Sequence, residues 1–152
     1  MQFTQKEKDL LKDMKDEEQL CIDKYTRHAA SAHDPQLKNL FSCISQVERG
    51  HLDTLTKLES SSSLDSSASG GTSCPTTFTA TYKSGDTPEK KDDCFLCSDL
   101  LAGEKHASHL YDTCVFEFSD QSVRNTINHI QKEEQEHGKM IYDYMKVNSM
   151  YS

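Results

Sequence analysis

The chain repeats itself, with the chemical groups of its first half recurring in its second half at an offset of 86 residues. Overall identity between the halves is low, but carboxylates, imidazoles, predicted helix caps and core positions coincide. The coinciding pairs are Glu18 with Glu104, Tyr25 with Tyr111, Asp34 with Asp120, Asn39 with Asn125, Ile44 with Ile130, Glu48 with Glu134, and His51 with His137. This pattern indicates two copies of one structural unit.

Each copy is predicted to be a helical hairpin, because apolar residues recur in it at helical spacing. Thr4 and Glu7 have the form of a capping box, and Asp34 followed by Pro35 is a helix start with a capping side chain and a proline in the first turn. The four predicted helix starts lie near Thr4, Asp34, Asp92 or Asp93, and Asp120.

The hairpins are predicted to span residues 4–59 and 92–147, joined by a crossover linker over 60–91. Within the linker, residues 76–83 alternate Thr with Phe, Ala and Tyr, which favours a short β-strand. Two short-looped hairpins with one long crossover form the topology of a ferritin-like four-helix bundle. We therefore predict an all-α, ferritin-like fold in a single domain covering residues 1–152.

Composition limits the kinds of partner that the protein can bind and the compartment in which it is expected to be made. The net charge of −8 argues against a nucleic-acid partner, because phosphate binding needs clustered Lys and Arg. The charged first ten residues predict no secretory signal, and no stretch reaches the ~18 apolar residues of a membrane span. We expect synthesis in the cytoplasm, no membrane partner, and thiols or metal ligands in place of a disulfide framework for the six Cys.

The repeated carboxylates and imidazoles lie on the apolar stripes of the predicted helices, where an unpaired charge would be costly. Glu18 precedes Asp34 by 16 residues and Glu48 follows it by 14, roughly 24 Å and 21 Å of helix, so the hairpin brings both to one level. Glu-x-x-His places both groups on one helix face. The predicted metal ligands, for two Fe or Mn ions, are Glu18, Glu48, His51, Glu104, Glu134 and His137.

Two alternatives weigh against this hypothesis. A single Glu-x-x-His in a Glu-rich helix normally indicates a solvated face, and only the doubled pattern in a repeating chain favours metal. The bundle could also descend from a metal-binding ancestor and have an empty site.

Tyr25 and Tyr111 are candidate hydroxyl donors to ligand carboxylates, or core aromatics. The histidines without a repeat partner are predicted at the surface: His28, His33, His106, His109 and His129.

The cysteines offer a weaker signal. Cys94-x-x-Cys97 is predicted to open the third helix, where a helix N-terminus lowers the thiol pKa and favours a redox pair. Cys74, in the linker, is a candidate for cross-linking with that pair or with another chain. Ordinary helix positions are predicted for Cys21, Cys43 and Cys114.

The doubled Glu…Tyr…Glu-x-x-His pattern resembles rubrerythrins and bacterioferritins. The chain lacks the two CxxC motifs of the rubrerythrin iron-sulfur module, and Ala107 replaces the extra carboxylate of its third helix. The symmetric ligand set is therefore more similar to a bacterioferritin ferroxidase centre. Residues 34–41 and 129–138 resemble coat F-type spore coat proteins of anaerobic spore formers, themselves ferritin-like, and this resemblance covers nearly the whole chain.

Two functions follow as expectations. The first is a redox metalloprotein that reacts with oxygen or peroxide or oxidises iron, with Glu48 and Glu134 bridging the metals and Glu18 and Glu104 terminal. The second is a structural subunit of a spore layer that associates with itself or with other coat proteins, its metal site only structural or empty. In that case residues 76–83 could add a strand to a neighbour, with Cys74, Cys94 or Cys97 locking the contact, or the linker could be a solvated tether.

Overall fold

The computed structural model describes residues 2–60 and 73–151, and these form four helices in two hairpins. They are α1 (Gln5–Ser31), α2 (Pro35–Ser60), α3 (Pro88–Val115) and α4 (Gln121–Val147). α1 packs along α2 and α3 along α4, and the two hairpins meet mainly where α1 contacts α3. The predicted all-α bundle of two hairpins is confirmed.

Side-chain caps set three of the helix starts as predicted. Thr4 and Glu7 form a capping box at the start of α1. At α2, the Asp34 carboxylate accepts from the backbone N–H of Gln36 at 2.9 Å. At α4, Asp120 caps the backbone N–H groups of the first turn. Each cap satisfies N–H groups that would otherwise have no partner within the helix.

The predicted start of the third helix, near Asp92 or Asp93, is wrong. α3 begins at Pro88, and the Thr87 side chain caps it by accepting from the backbone N–H of Lys90 at 3.2 Å. Thr87 followed by Pro88 is the same kind of start signal as Asp34 followed by Pro35. Cys94 and Cys97 therefore lie well inside α3 and do not open it.

The apolar core is divided into two clusters. One cluster, at the end of the bundle near the α1–α2 loop, contains Tyr25, Phe41 and Tyr144. The other, at the opposite end, contains Met14, Leu55 and buried residues of α3 and α4. Burial of both clusters stabilises the bundle, and the predicted carboxylates and imidazoles lie at the helix levels between them.

Each hairpin also holds the loop of the other. The buried Glu7 carboxylate of α1 accepts from the backbone N–H of Ser119, in the loop between α3 and α4, at 3.2 Å. In the same way, the Asp93 carboxylate of α3 accepts from the backbone N–H groups of His33 and Asp34 at 2.8 and 3.0 Å. Glu7 and Asp93 are themselves related by the 86-residue offset, so the repeat extends to both ends of the bundle.

The end of the crossover, residues 73–87, forms no strand and lies against the bundle. The Phe78 ring meets the Tyr144 ring edge-on, with centroids 5.7 Å apart. The Asn148 side chain accepts from the backbone N–H groups of Thr81 and Tyr82 at 2.8 and 3.0 Å. Side chains of the bundle thus replace the strand partner that the alternating pattern requires. The rest of the predicted linker, residues 61–72, lies outside the described residues.

Among the described residues, none of the helices is both long and apolar enough to cross a membrane.

Candidate metal centre

The six predicted ligands come together in one buried layer. Glu18 extends from α1, Glu48 and His51 from α2, Glu104 from α3, and Glu134 and His137 from α4. Each is at most 5% exposed. Their burial follows from their register, since each lies on the apolar stripe that its helix turns toward the core.

The layer contains two groups of side chains that could each hold a metal ion. The first group is Glu18, Glu48, His51 and Glu134, and the second is Glu48, Glu104, Glu134 and His137. Within each group, one possible ligand atom per residue lies within 4.8 Å of all the others. Glu48 and Glu134 belong to both groups, which is the arrangement expected of bridging carboxylates between two cations.

Both imidazoles turn the same nitrogen toward the carboxylates. His51 Nδ1 lies 2.9 Å from Glu48 Oε2 and 3.1 Å from Glu134 Oε1. His137 Nδ1 lies 3.1 Å from Glu48 Oε1 and 3.5 Å from Glu104 Oε1. The two rings are nearly parallel, with centroids 6.1 Å apart. In each half of the layer, one imidazole nitrogen therefore lies close to several carboxylate oxygens.

Three carboxylate oxygens in this layer are buried without a hydrogen-bond partner: Glu18 Oε2, Glu104 Oε2 and Glu134 Oε2. A buried oxygen without a partner costs about 1–3 kcal/mol, and more if it is charged. Metal coordination would satisfy all three. Four carboxylates would also neutralise two divalent cations, while the imidazoles bind as neutral ligands. The donor set thus fits a pair of divalent cations.

The two tyrosines connect the hairpins. The Tyr25 hydroxyl of α1 donates to Glu104 Oε1 of α3, and the Tyr111 hydroxyl of α3 donates to Glu18 Oε1 of α1. Each tyrosine therefore orients the carboxylate of the opposite hairpin, and both hydroxyl groups are buried with their rings. The other oxygen of each carboxylate, Oε2, has no hydrogen-bond partner, and Glu18 Oε2 lies 3.6 Å from His51 Nδ1.

Burial controls the protonation of the layer in the absence of cations. It raises the pKa of Glu48 to about 7 and that of Glu104 to about 8, and it also raises the pKa of Glu18. For His51 and His137, burial lowers the pKa, but hydrogen bonds to the surrounding carboxylates bring it well above its ordinary value. A divalent cation would take the place of these protons.

Glu133 also reaches this layer, and its role was missed in the sequence. Its Oε2 lies 2.7 Å from His51 Nε2, the nitrogen that points away from the carboxylates. Its Oε1 lies 2.7 Å from Nε2 of the exposed His129. The repeat could not reveal this contact, because the equivalent positions are occupied by Val47 and Cys43.

A pocket of about 230 Å³ lies between α1 and α3 and reaches one half of the layer. Tyr25 and Glu104 form part of its wall, together with Gly103, Glu17 and the His106 side chain. Gly103 leaves the pocket open because it has no side chain. The pocket gives a small molecule an approach to Glu104 and its tyrosine partner.

The structure corrects the cysteine predictions. Cys74 forms a disulfide with Cys43 of α2, so it bonds neither with the CxxC pair nor with another chain. For these two cysteines, the bond contradicts the expectation of thiols or metal ligands, and it shows that Cys43 is not an ordinary helix residue. Cys94 and Cys97 are free, and burial raises the pKa of Cys97, which is the opposite of activation at a helix N-terminus.

Comparison with known proteins adds one finding. Residues 92–152 match the Coat F domain. This Coat F segment contains most of α3 and all of α4, and so includes Glu104, Glu134 and His137. It covers less than half of the chain, and it does not include the resemblance noted at residues 34–41. No curated protein and no solved structure matches the chain.

Proposed function

We propose that the protein is a ferritin-like, spore-coat-type carboxylate protein that holds two iron or manganese ions. The observation that carries the proposal is the pair of donor groups sharing Glu48 and Glu134. Glu18 and Glu104 would be terminal ligands, and His51 and His137 would each bind one ion through Nδ1. Carboxylate oxygens with one imidazole per ion suit Fe or Mn better than a metal that prefers thiolates.

When bound, such a metal pair supplies the electrons that reduce oxygen or peroxide, or the centre that oxidises ferrous iron. The protein's own residues prepare this chemistry. Tyr25 and Tyr111 hold the terminal carboxylates in place across the hairpins. The two apolar clusters exclude bulk water from above and below. The pocket between α1 and α3 would admit small oxidants such as oxygen or peroxide.

The second candidate is a structural subunit of the spore coat, in which the metal site is structural or empty. The match of residues 92–152 to the Coat F domain favours it. We propose that the chain is synthesised in the cytoplasm and deposited in the coat, where it contacts other copies or other coat proteins. Backbone N–H groups of residues 79, 81 and 82 already bond to side chains of the bundle, so strand addition to a neighbour would have to use other backbone groups of residues 76–83.

The deciding experiment measures metal per chain in protein purified without added metal. We expect about two Fe or Mn ions per chain, and none in the double variant Glu48→Ala, Glu134→Ala, since these residues belong to both donor groups. Glu136→Ala is the matched control, because this exposed glutamate lies on the same helix.

The outcomes separate the two candidates. Metal that is lost only in the double variant, with faster consumption of oxygen or peroxide than free metal gives, supports the redox role. Metal without any such consumption supports a structural site. If neither the unmodified protein nor the double variant contains metal and both fold alike, the dinuclear centre is rejected and the coat subunit remains.

A further inference from the structure

The two buried histidines differ in what holds the ring nitrogen that faces away from the carboxylates. His51 Nε2 lies 2.7 Å from Glu133 Oε2. Glu133 is itself held on its other side, where Oε1 lies 2.7 Å from His129 Nε2. Glu133 is a quarter exposed and His129 more than half exposed, so this chain of contacts runs from the buried layer to the surface.

Within the part of the chain that the structure describes, the other half of the repeat has no such series of contacts. The position equivalent to Glu133 is Val47, whose side chain cannot accept a hydrogen bond. The position equivalent to His129 is Cys43, which is bonded to Cys74 of the crossover. His137 therefore receives no carboxylate from the place where His51 receives one, although both present Nδ1 to the layer.

This difference has a chemical consequence. A carboxylate that accepts from Nε2–H of a histidine fixes the tautomer in which Nδ1 carries the free lone pair. It also holds the ring in one orientation and makes the nitrogen a better donor to a metal. Glu133 already holds the His51 ring in this orientation before any cation binds, since the 2.7 Å contact is made. When a cation displaces the proton on Nδ1, the same contact keeps the remaining proton on Nε2.

A second difference lies on the opposite side of the layer. The lining of the pocket between α1 and α3 includes Glu104 and its partner Tyr25, which belong to the half of the layer that contains His137. Glu18 and His51 are absent from its lining within the described residues. The half without a carboxylate behind its histidine is thus also the half that a small solute can approach.

We infer that the two cation positions are inequivalent: position one, formed by Glu18 and His51 and supported by Glu133, binds a divalent cation more tightly than position two, formed by Glu104 and His137. Glu133 is a positioning residue, because it acts through His51. The inference rests on the proposed dinuclear centre and deepens it, because it assigns an order of loading to the two positions and identifies the exchangeable one.

The test is an equilibrium titration of the full chain, freed of metal by chelation, with Mn²⁺ alone, the free ion being counted by electron paramagnetic resonance. Two binding steps are expected, with dissociation constants about 10–100-fold apart, the usual effect of a partner behind a metal-binding histidine. Glu133→Gln keeps the shape of the side chain and removes its charge. Glu133→Gln should raise the dissociation constant of the tighter binding step alone, so that the two dissociation constants become more alike.

Glu136→Gln is the control, because it removes the same charge from an exposed position of α4, and it should leave both steps unchanged. Thermal unfolding without metal shows whether each variant remains folded. Two equal steps in the unmodified protein would overturn the inference while leaving the dinuclear centre intact. So would a Glu133→Gln variant that weakens both steps alike or neither. Absence of any binding in the unmodified protein would instead reject the proposed function.

Discussion

The two hairpins agree in the residues that face the centre of the bundle and differ in what surrounds them. Each contributes one glutamate, one Glu-x-x-His pair and one tyrosine to the buried layer, at matching positions. Around this layer, Glu133 corresponds to Val47, and His129 corresponds to the disulfide-bonded Cys43. A symmetric set of inner side chains is thus held in an asymmetric environment.

This comparison shows which features the two copies must share. Tyr25 bonds to Glu104, and Tyr111 bonds to Glu18, so each hairpin completes the half-site of the other. A change in one copy of these positions therefore affects both hairpins. Among the described residues, the outer positions carry no such reciprocal contact, and they differ between the copies. Glu133 of the second hairpin supports His51, the pocket reaches Glu104 and not Glu18, and Cys43 attaches the crossover to the first hairpin.

The largest expected effect comes from removing the disulfide that ties the crossover to the first hairpin only. Cys43 and Cys74 are separated by 31 residues along the chain. Closing a loop of this length stabilises a fold by about 3–4 kcal/mol in the chain-entropy model. The double variant Cys43→Ala, Cys74→Ala should lose about that much in urea unfolding, and reductant should lower the unmodified protein to a similar level.

Cys94→Ala, which changes a free and half-buried cysteine, is the control for this experiment. It should retain the sensitivity to reductant. If reductant leaves the unmodified protein as stable as before, the crossover is not held by this bond in solution.

A smaller effect is expected from the two loop aspartates, which the repeat makes equivalent. Asp34 is buried and accepts from the Tyr144 hydroxyl at 2.6 Å as well as from the start of α2. Asp34→Ala removes a helix cap and leaves the buried Tyr144 hydroxyl without a partner, so it should lower the free energy of unfolding by about 2–3 kcal/mol. Asp120→Ala removes only a cap at the start of α4, and its loss should be clearly smaller. Urea unfolding at pH 7 measures both.

The pH dependence of the stability lost in Asp34→Ala gives a second way to compare the two loop aspartates. Burial raises the pKa of Asp34, but hydrogen bonds from Tyr144, Thr81 and Gln36 bring it below its ordinary value of 3.8. Its stabilising contribution is therefore full above that value and is lost as pH falls through the lower pKa of the folded state. The difference in free energy of unfolding between the unmodified protein and Asp34→Ala should become smaller below about pH 4. Equal losses for Asp34→Ala and Asp120→Ala at pH 7 would show that the loops are alike.

The smallest effect on stability is expected from filling the pocket that reaches only one half of the layer. A Cβ at Gly103 would lie 3.6 Å from Lys24 Nζ, which is an ordinary contact, so the backbone leaves room for the Cβ of Gly103→Leu. Loss of a helical glycine should raise stability by up to about 1 kcal/mol. Metal content should stay the same, while consumption of oxygen or peroxide by the metal-loaded protein slows several-fold.

Gly50→Leu is the matched control, since a Cβ at this helical glycine meets no atom within 4 Å and Gly50 is not among the residues that line the pocket. It should give the gain in stability without the slower reaction. Equal rates in Gly103→Leu and the unmodified protein would show that small oxidants reach the layer by another route.

Much of this arrangement could be predicted from the spacing of residues. Helix starts at Thr4, Asp34 and Asp120 follow from local capping chemistry, and the common level of the layer follows from the constant rise of a helix. The start of α3 could also have been predicted, because Thr87 and Pro88 mark it as plainly as Asp34 and Pro35 mark that of α2. The strand predicted in the linker failed because alternation specifies an extended chain but not a partner strand.

By itself, the sequence determined the four helices, the inward register of the carboxylates and imidazoles, and their shared height in the bundle. These properties depend on periods and distances along one chain, which are local. Only the tertiary structure decided that Tyr25 bonds to Glu104, that Glu133 supports His51 and that Cys43 pairs with Cys74. Each of these contacts joins different helices or a helix and the crossover, so it depends on how they pack and cannot be read from spacing within any single segment.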